Sequence, residues 1–537
     1  MSEGHRFIKL VQVVSIPQNT KYMTLSHCWG TSTSRGYNLT RNNWKQYTDA
    51  ISVEVLPKTF VEAIAVTRVL GIRYLWIDSL CIIQDSQEDW IKESALMPSV
   101  YGNSFCNIAA SGASNSAEGC FLPRRRMDQS RAVRILTRNT LVPDQICVNN
   151  GMVWIEFLQC PLSQRAWIFQ ERMLAPRTIH FGLSQVFWEC NSFLACERFP
   201  CGNLAISALR MPGYKTLNKL QAQGSQILNS RYGDGNSISE AWDDFVKAYS
   251  ASKITYGTDR LVAMGGILSR FEPSLGTPLA GLWKENLAVQ LLWRKAKCPD
   301  DSQSFGKRSV RDFAPSWSWA SLLESSISPE TKRSYEEQGE YNVVLGILEA
   351  HVEDFSQREG YVAMEGFIKA RCYMVPIAVV SEGPDNTGTL ILQPESTHEV
   401  DVSVGARLYL DTKETKAGDR ILAVPVLVGN FSGCEGLLLR QNSSTSDASF
   451  SRCGVFRVGD SLSEWSAVKD LWRSLLEYGR SQQSASRYDR IIRLSECKVD
   501  QHEKEVEVIL HSEFDDESSA PRLSRFNGVK QFEIVIK

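Results

Sequence analysis

The spacing of apolar and polar positions in the first third of the chain switches between two periods. Tyr22-Met23-Thr24-Leu25 reads as a short strand running into the turn Ser26-His27-Cys28-Trp29-Gly30. After Leu56-Pro57-Lys58 the spacing becomes helical, and Phe60, Val61, Ile64, Ala65, Val69 and Leu70 make an apolar face. Thr59 and Glu62 have capping-box spacing at its start, and Gly71 stands where such a helix would stop. Tyr74-Leu75-Trp76-Ile77 is apolar at every position, which predicts a central strand covered on both faces. The strand ends in Asp78, and a loop follows through Cys81, Gln84 and Asp85. Ser86 and Asp89 open a second helix, to about Met97, and residues 105–110 read as a further strand. This β-α-β-α-β order predicts an α/β domain built on a mostly parallel sheet with flanking helices.

Residues 165–174 keep a helical period, and residues 178–181 and 185–189 read as a hairpin around Gly182. Residues 206 to about 310 look mostly helical, and the polar stretch 325–340 reads as a linker. Beyond it, alternating segments at 343–347, 361–368, 407–410 and 420–428 predict a β-rich region. The expected organisation is an α/β domain over 1–175, a mixed hairpin and helical extension over 176–325, and a β-rich C-terminal domain over 340–537. A length of 537 residues is too great for a single core, in keeping with several domains.

Composition narrows the function classes. With 43% hydrophobic and 22% charged residues the chain has ordinary globular values, which argues against extensive disorder. A formal net charge of −2 gives no global attraction to nucleic acid or to anionic membrane, so neither is an expected partner. No apolar run approaches the ~18 residues of a membrane helix. The opening Met1-Ser2-Glu3-Gly4-His5-Arg6 lacks a signal-peptide pattern, so a cytoplasmic location is expected. The 14 cysteines include no CxxC pair, and the tightest group is Cys190, Cys196 and Cys201. Core packing is the expected role of most of them, and no metal site is expected. The absence of GxGxxG and GxxxxGK[ST] argues against a dehydrogenase or a P-loop nucleotidase. A bound nucleotide would be held by loop side chains and helix N-termini. The run Arg124-Arg125-Arg126 reads as a solvated loop.

Three carboxylate and histidine positions stand out. Trp90, Glu93 and Met97 fall at i, i+3 and i+7 and share one helix face. A carboxylate between Trp and Met is partly desolvated, which raises its pKa and suits it to acid–base or charge-stabilising work. The alternative is that Glu93 pairs with Arg165 or Arg172 to fix the domain. Asp78 stands at the carboxyl end of its strand, the edge at which open α/β sheets bind ligands. The Ser26–Gly30 turn would share that edge in a parallel sheet. The alternative reading has Asp78 capping a local turn, with Trp29 and Trp76 in the core. His27 and Cys28, adjacent on extended chain, point to opposite faces, so His27 is poorly placed to activate the thiol.

Several ordered motifs together resemble a known family. Tyr22-Met-Thr-Leu-Ser-His-Cys-Trp-Gly30, Leu56-Pro-Lys-Thr59 and Tyr74-Leu-Trp-Ile-Asp-Ser-Leu-Cys-Ile-Ile-Gln84 resemble the opening blocks of the fungal heterokaryon-incompatibility (HET) domain. Asp89-Trp-Ile-Lys-Glu-Ser94, Met97, Val100-Tyr-Gly-Asn103, Arg165-Ala-Trp167 and Gln170-Glu-Arg172 resemble its later blocks. Segments at 256–266, 280–283, 290–293 and 315–319 are similar to those that follow such domains, and residues after about 325 carry no part of the resemblance. The resemblance implies a fungal protein of non-self recognition, acting in programmed cell death when unlike strains fuse. It also implies a TIR-like fold, and some TIR domains cleave NAD at the nicotinamide–ribose bond with a glutamate in a Trp-x-x-Glu-like stretch. Trp90-Ile-Lys-Glu93 has that spacing. On this basis Glu93, Asp78 and His27 are the candidate catalytic residues. Ser26, Trp29, Gln84 and Arg165 are the candidate nucleotide-binding residues. NAD enters as substrate, and no cofactor is implied. Two other readings stay open: a non-catalytic module that self-associates or docks a signalling protein, and a scaffold used as an enzyme of small-molecule biosynthesis.

Overall fold

In the computed structural model, Tyr22–Ser26 (β1) is an interior strand of a six-stranded sheet, one in from its edge. The structure describes residues 6–30, 37–123, 132–134, 146–148, 157, 159–191, 194–197, 200, 238–296, 307–308, 313–323, 325–329, 341–353, 356–358, 361–382, 387–392, 402–411, 421–429, 433–442, 449–458 and 532–537. These fall into two units: Met1–Ala241 with Ser252–Phe271, and Trp242–Ala251 with Glu272–Lys537. The Arg124–Arg126 run lies outside the described residues.

In the first unit, β1 is followed by helix α1 (Lys58–Val69), strand β2 (Tyr74–Ile77), helix α2 (Gln87–Gly102) and strand β3 (Cys106–Ala109). Helix α3 (Trp167–Leu174) and strands β4 (Arg177–Phe181), β5 (Val186–Cys190) and β6 (Leu194–Cys196) complete it. The sheet order is β6-β5-β4-β3-β1-β2. The strands β2, β1, β3 and β4 are parallel, with Leu25 opposite Ile77 and Ile108, and Ile108 opposite Ile179. The strands β5 and β6 add as antiparallel strands, and β4–β5 is the hairpin expected around Gly182.

Alternation along the strands splits the core between two faces. Met23, Leu25, Cys106 and Ile108 pack on Phe60, Ala63 and Ile64 of α1. On the other face Trp76 packs on Met97 and Tyr101 of α2 and Leu174 of α3. Successive residues of a strand point to opposite faces, so α1 lies on one side and α2 and α3 on the other. From β1 the chain passes to β2 on one side and returns to β3 on the other. The β1/β3 pair is therefore the switch point of a doubly wound sheet, the place at which such folds present their ligand crevice.

Three expectations change. The strand Tyr74–Ile77 is at the edge of the sheet, with β1 as its neighbour, and is not central. Its unbroken apolar run reflects helices over both faces, with Leu75 in the α1 core and Trp76 in the α2–α3 core. Thr59 and Glu62 do not cap α1, which begins at Lys58 with Pro57 at the cap position and no side-chain cap. Thr59 Oγ1 accepts from Gly119 N at 3.1 Å, and the Glu62 carboxylate accepts from Cys120 N and Phe121 N at 2.6 and 2.8 Å, so both hold a distant turn. The buried face of α1 is Phe60, Ala63, Ile64 and Thr67, whereas Val69 and Leu70 are exposed. The helix does stop at Gly71, whose φ of +71° favours glycine. Ser86 does cap α2, accepting from Asp89 N at 3.3 Å.

In the second unit the alternating segments form strands. Val375–Glu382 (β7), Thr387–Leu392 (β8), Val402–Leu410 (β9), Ile421–Gly429 (β10), Cys434–Gln441 (β11) and Ser449–Val458 (β12) are all antiparallel to their neighbours within this set. The pairing runs β7-β8-β9-β12-β11-β10 and returns to β7, which closes the ladder into a ring without a free edge.

Candidate functional site

The carboxyl ends of β1 and β2 bring together most of the residues singled out from the sequence. The strand β1 ends in Ser26, whose buried hydroxyl accepts from Asn107 Nδ2 at 2.9 Å and lies 3.2 Å from Asn107 Oδ1. Thr24 Oγ1 donates to the same Oδ1 at 3.0 Å, so three polar side chains of β1 and β3 satisfy one another beneath α2 and α3.

The chain then turns through His27, Cys28 and Trp29. His27 is buried with its ring edge-on to Phe60, at 4.9 Å between centroids. Its Nδ1 lies 3.7 Å from Asp78 Oδ1, and neither ring nitrogen makes a hydrogen bond. Burial pushes the imidazole pKa down to about 4, with the Asp78 carboxylate opposing and the Arg165 cation reinforcing the shift. His27 is therefore neutral at physiological pH.

Asp78 opens the helical turn Asp78–Cys81 that follows β2. One carboxylate oxygen accepts from its neighbour's amide, Ser79 N, at 2.7 Å, and the other from Trp29 Nε1, also at 2.7 Å. Asp78, the first residue of its turn, thus satisfies one of that turn's amides, and it ties the ends of β1 and β2 together as well. Gln84 donates to the carbonyls of Asp78 and Ile82 at 3.2 and 2.9 Å and shapes this loop from behind. Arg165 reaches over from the segment before α3 and donates to His27 O at 2.6 Å, with the Cys28 thiol as a second partner.

Glu93 lies on α2. It makes no ion pair with Arg165 or Arg172 and is 3.9 Å from Lys92. Partial burial raises its pKa, the neighbouring Asp89 adds to the shift and Lys92 opposes it. Trp90 and Met97 on the same helix contact Trp167 and the Trp76–Tyr101 cluster, as the shared face predicts. Both Asp78 and Glu93 help to raise the Cys81 thiol, which burial above all pushes up to about 12. Burial raises the Cys28 thiol too, and neither cysteine is poised as a thiolate nucleophile.

The heterokaryon incompatibility protein (HET) family model matches residues 22–171. That stretch is a HET domain. No curated protein and no solved structure matched the chain. The matched residues run from the first residue of β1 to Glu171, so the HET domain supplies every side chain of the cluster described above.

Two residues of the HET domain join the cluster without having been singled out. Glu171 of α3 is buried beside the hydroxyls of Ser26 and of Tyr101 on α2, both of which favour its ionised form. Burial, then the Asp78 charge, push its pKa up to about 7 against the opposing effects of Ser26, Arg165 and Tyr101. The Tyr101 hydroxyl is raised well above its ordinary value by the same burial. A signal for Glu171 was present in the spacing: it falls at i+4 from Trp167 and i−3 from Leu174, inside an apolar stripe. Among the described residues no group of three His, Cys, Asp or Glu side chains is arranged to hold a metal ion. Among the described residues no helix is long and apolar enough to cross a membrane.

Proposed function

We propose that the HET domain binds a small-molecule nucleotide at the carboxyl edge of β1 and β2 and cleaves NAD between nicotinamide and ribose, in the service of fungal non-self recognition and cell death. The observation that carries this reading is the convergence of Ser26, His27, Trp29, Asp78 and Arg165 at the carboxyl ends of β1 and β2, with Glu93 and Asp78 both raising the pKa of the Cys81 thiol. The resemblance of the family to TIR domains, some of which perform this reaction, supports the chemistry. In the reaction the bond from ribose C1′ to the nicotinamide nitrogen breaks with its electron pair on nicotinamide. Water then adds to the ribose carbon and releases one proton. Glu93 stabilises the positive charge that develops on the ribose, and its partial desolvation strengthens its field there. Trp29 and Arg165 contact the nucleotide. Asp78 fixes Trp29 in its orientation.

The test is nicotinamide release from NAD by the full-length protein. Glu93→Gln preserves shape and removes charge, and turnover should fall at least ~100-fold, the scale of losing one electrostatic catalytic group. Wild-type turnover in the variant would overturn the assignment.

A second reading, a non-catalytic module that self-associates or docks a signalling partner, draws on the complete burial of His27 and Glu171, which suits a scaffold role. It predicts no nicotinamide release at any pH, together with concentration-dependent self-association.

A further inference from the structure

His27 is 3% exposed, and neither of its ring nitrogens has a hydrogen-bond partner among the described residues. A neutral imidazole carries one N–H and one lone pair, and buried polar groups of this kind are nearly always paired, with protein or with an ordered water. Nδ1 lies 3.7 Å from Asp78 Oδ1, beyond a direct hydrogen bond. The ring is held on two sides: Phe60 stands edge-on to it at 4.9 Å and Trp29 is stacked alongside at 6.4 Å between centroids. The Arg165 bond to His27 O, at 2.6 Å, fixes the backbone that carries it.

Two more unpaired polar atoms belong to the segments joined around Asp78. Ser79, its neighbour in the turn, is fully buried with its hydroxyl unpaired, and Asn38 is buried with Oδ1 unpaired. The chain that carries Asn38 is bonded to that turn, with Leu39 N donating to Ser79 O at 2.9 Å. Asp78 accepts from Ser79 N and Trp29 Nε1, one bond to each oxygen, which fixes its carboxylate and leaves lone pairs over. Apolar cavities stay dry, whereas buried polar groups without protein partners are where internal water binds. The carboxylate faces Nδ1, so that nitrogen carries the ring proton and the lone pair falls on Nε2.

We propose that His27 holds a water on Nε2 at the carboxyl edge of β1 and β2 and takes its proton as the water oxygen bonds to ribose C1′, with Asp78 orienting the ring. The step rests on reading this edge as the site of NAD cleavage. Nicotinamide leaves with the electron pair of its bond to C1′, the water oxygen supplies the pair of the new bond, and the released proton passes to Nε2 and then to solvent. The buried ring meets the sugar only through that water. Glu93 then acts on the charge of the ribose, and His27 on the acceptor that quenches it.

Competition between two acceptors separates this role from a structural one. A pyridine such as 3-acetylpyridine attacks C1′ through a nitrogen lone pair and has no proton to lose, so its exchange for nicotinamide needs no base. In the full-length protein His27→Gln should lower ADP-ribose formation about 100-fold, the scale of losing one general base, and leave pyridine exchange within about threefold. Asp78→Asn keeps an acceptor for Trp29 but removes the charge that orients the ring, and should move the ratio of the two products the same way. That variant serves as the test should His27→Gln not fold. A crystal structure that orders water should show one at about 2.7–3.2 Å from Nε2. Equal loss of both products, or an unchanged ratio in both variants, overturns the inference while NAD cleavage stands, and so does a ring with no water on Nε2. Absence of nicotinamide release with either acceptor overturns the NAD reading and the proton step together, and an ordered water on Nε2 then leaves only the water site standing.

Discussion

Replacing Glu189 by glutamine tests how α3, and with it Glu171, is held in place. Glu189 on β5 receives Arg172 of α3 in a two-pronged contact, with Nε to Oε2 at 2.6 Å and Nη2 to Oε1 at 3.1 Å. His180 Nε2 on β4 lies 3.2 Å from the same Oε2, and the Arg172 guanidinium lies 4.7 Å from the centroid of the Phe157 ring. The two side chains of the ion pair are only 12% and 4% exposed, so water screens the pair weakly. Breaking a buried pair leaves an uncompensated charge and costs about 3–5 kcal/mol. At a denaturant slope of roughly 1–3 kcal/mol/M, that loss moves a urea midpoint down by about 1–5 M. Pulse-labelling hydrogen exchange across a urea series reads the midpoint for peptides of α3 and β5 alone, which avoids treating a chain with two units as one transition. The double replacement Arg172→Met with Glu189→Leu should recover most of the loss, because no charge is then left buried. A loss below about 1 kcal/mol for Glu189→Gln, the scale of a solvent-screened surface pair, would refute the reasoning. So would a double variant no more stable than the single one.

Two further outcomes follow from the same geometry. A Cβ on Gly266 would sit 2.7 Å from the Pro98 ring and 2.8 Å from Leu174 Cδ1, so Gly266→Ala should destabilise the packing of α2 on α3 by about 1–3 kcal/mol; an unchanged thermal midpoint would contradict that contact. His27 titrates near 4 when folded and near 6.5 when unfolded, so the unfolded chain takes up its proton first. The stability this gives is complete above about pH 6.5 and is lost as pH falls through about 4. In urea titrations His27→Gln should show a shallower fall over that window than the wild type, and equal slopes would sink the assignment.

The strand ends were legible in the sequence because their chemistry is local. Ser26, His27, Trp29 and Asp78 follow directly from apolar runs, and a parallel sheet puts such positions on one edge. Strand order was not legible. Tyr74–Ile77 has apolar residues at every position because helices cover both faces, and that pattern carries no information about how many strands lie alongside. Thr59 and Glu62 show the same limit from the other side: their spacing fits a local cap, yet residues 119–121 claim both side chains. Glu171 was overlooked because a charged residue in a helix between Gln170 and Arg172 reads as solvated. Its place between Trp167 and Leu174 on one stripe was the available clue.

The point at which the family match stops has a consequence for how this domain can be cut or recombined. The match ends at Glu171, within α3, whose final turn runs on to Leu174. Strand β4, which covers the open side of β3, lies beyond that boundary, as do Glu189, the anchor of Arg172, and Gly266, whose amide donates to Gln170. A fragment trimmed to residues 22–171 would therefore keep the whole polar cluster but bare the ladder of β3 and release the helix that carries Glu171. The stretch recognisable by family and the stretch that can stand alone are different lengths of chain, and a graft meant to carry this site must take the longer one.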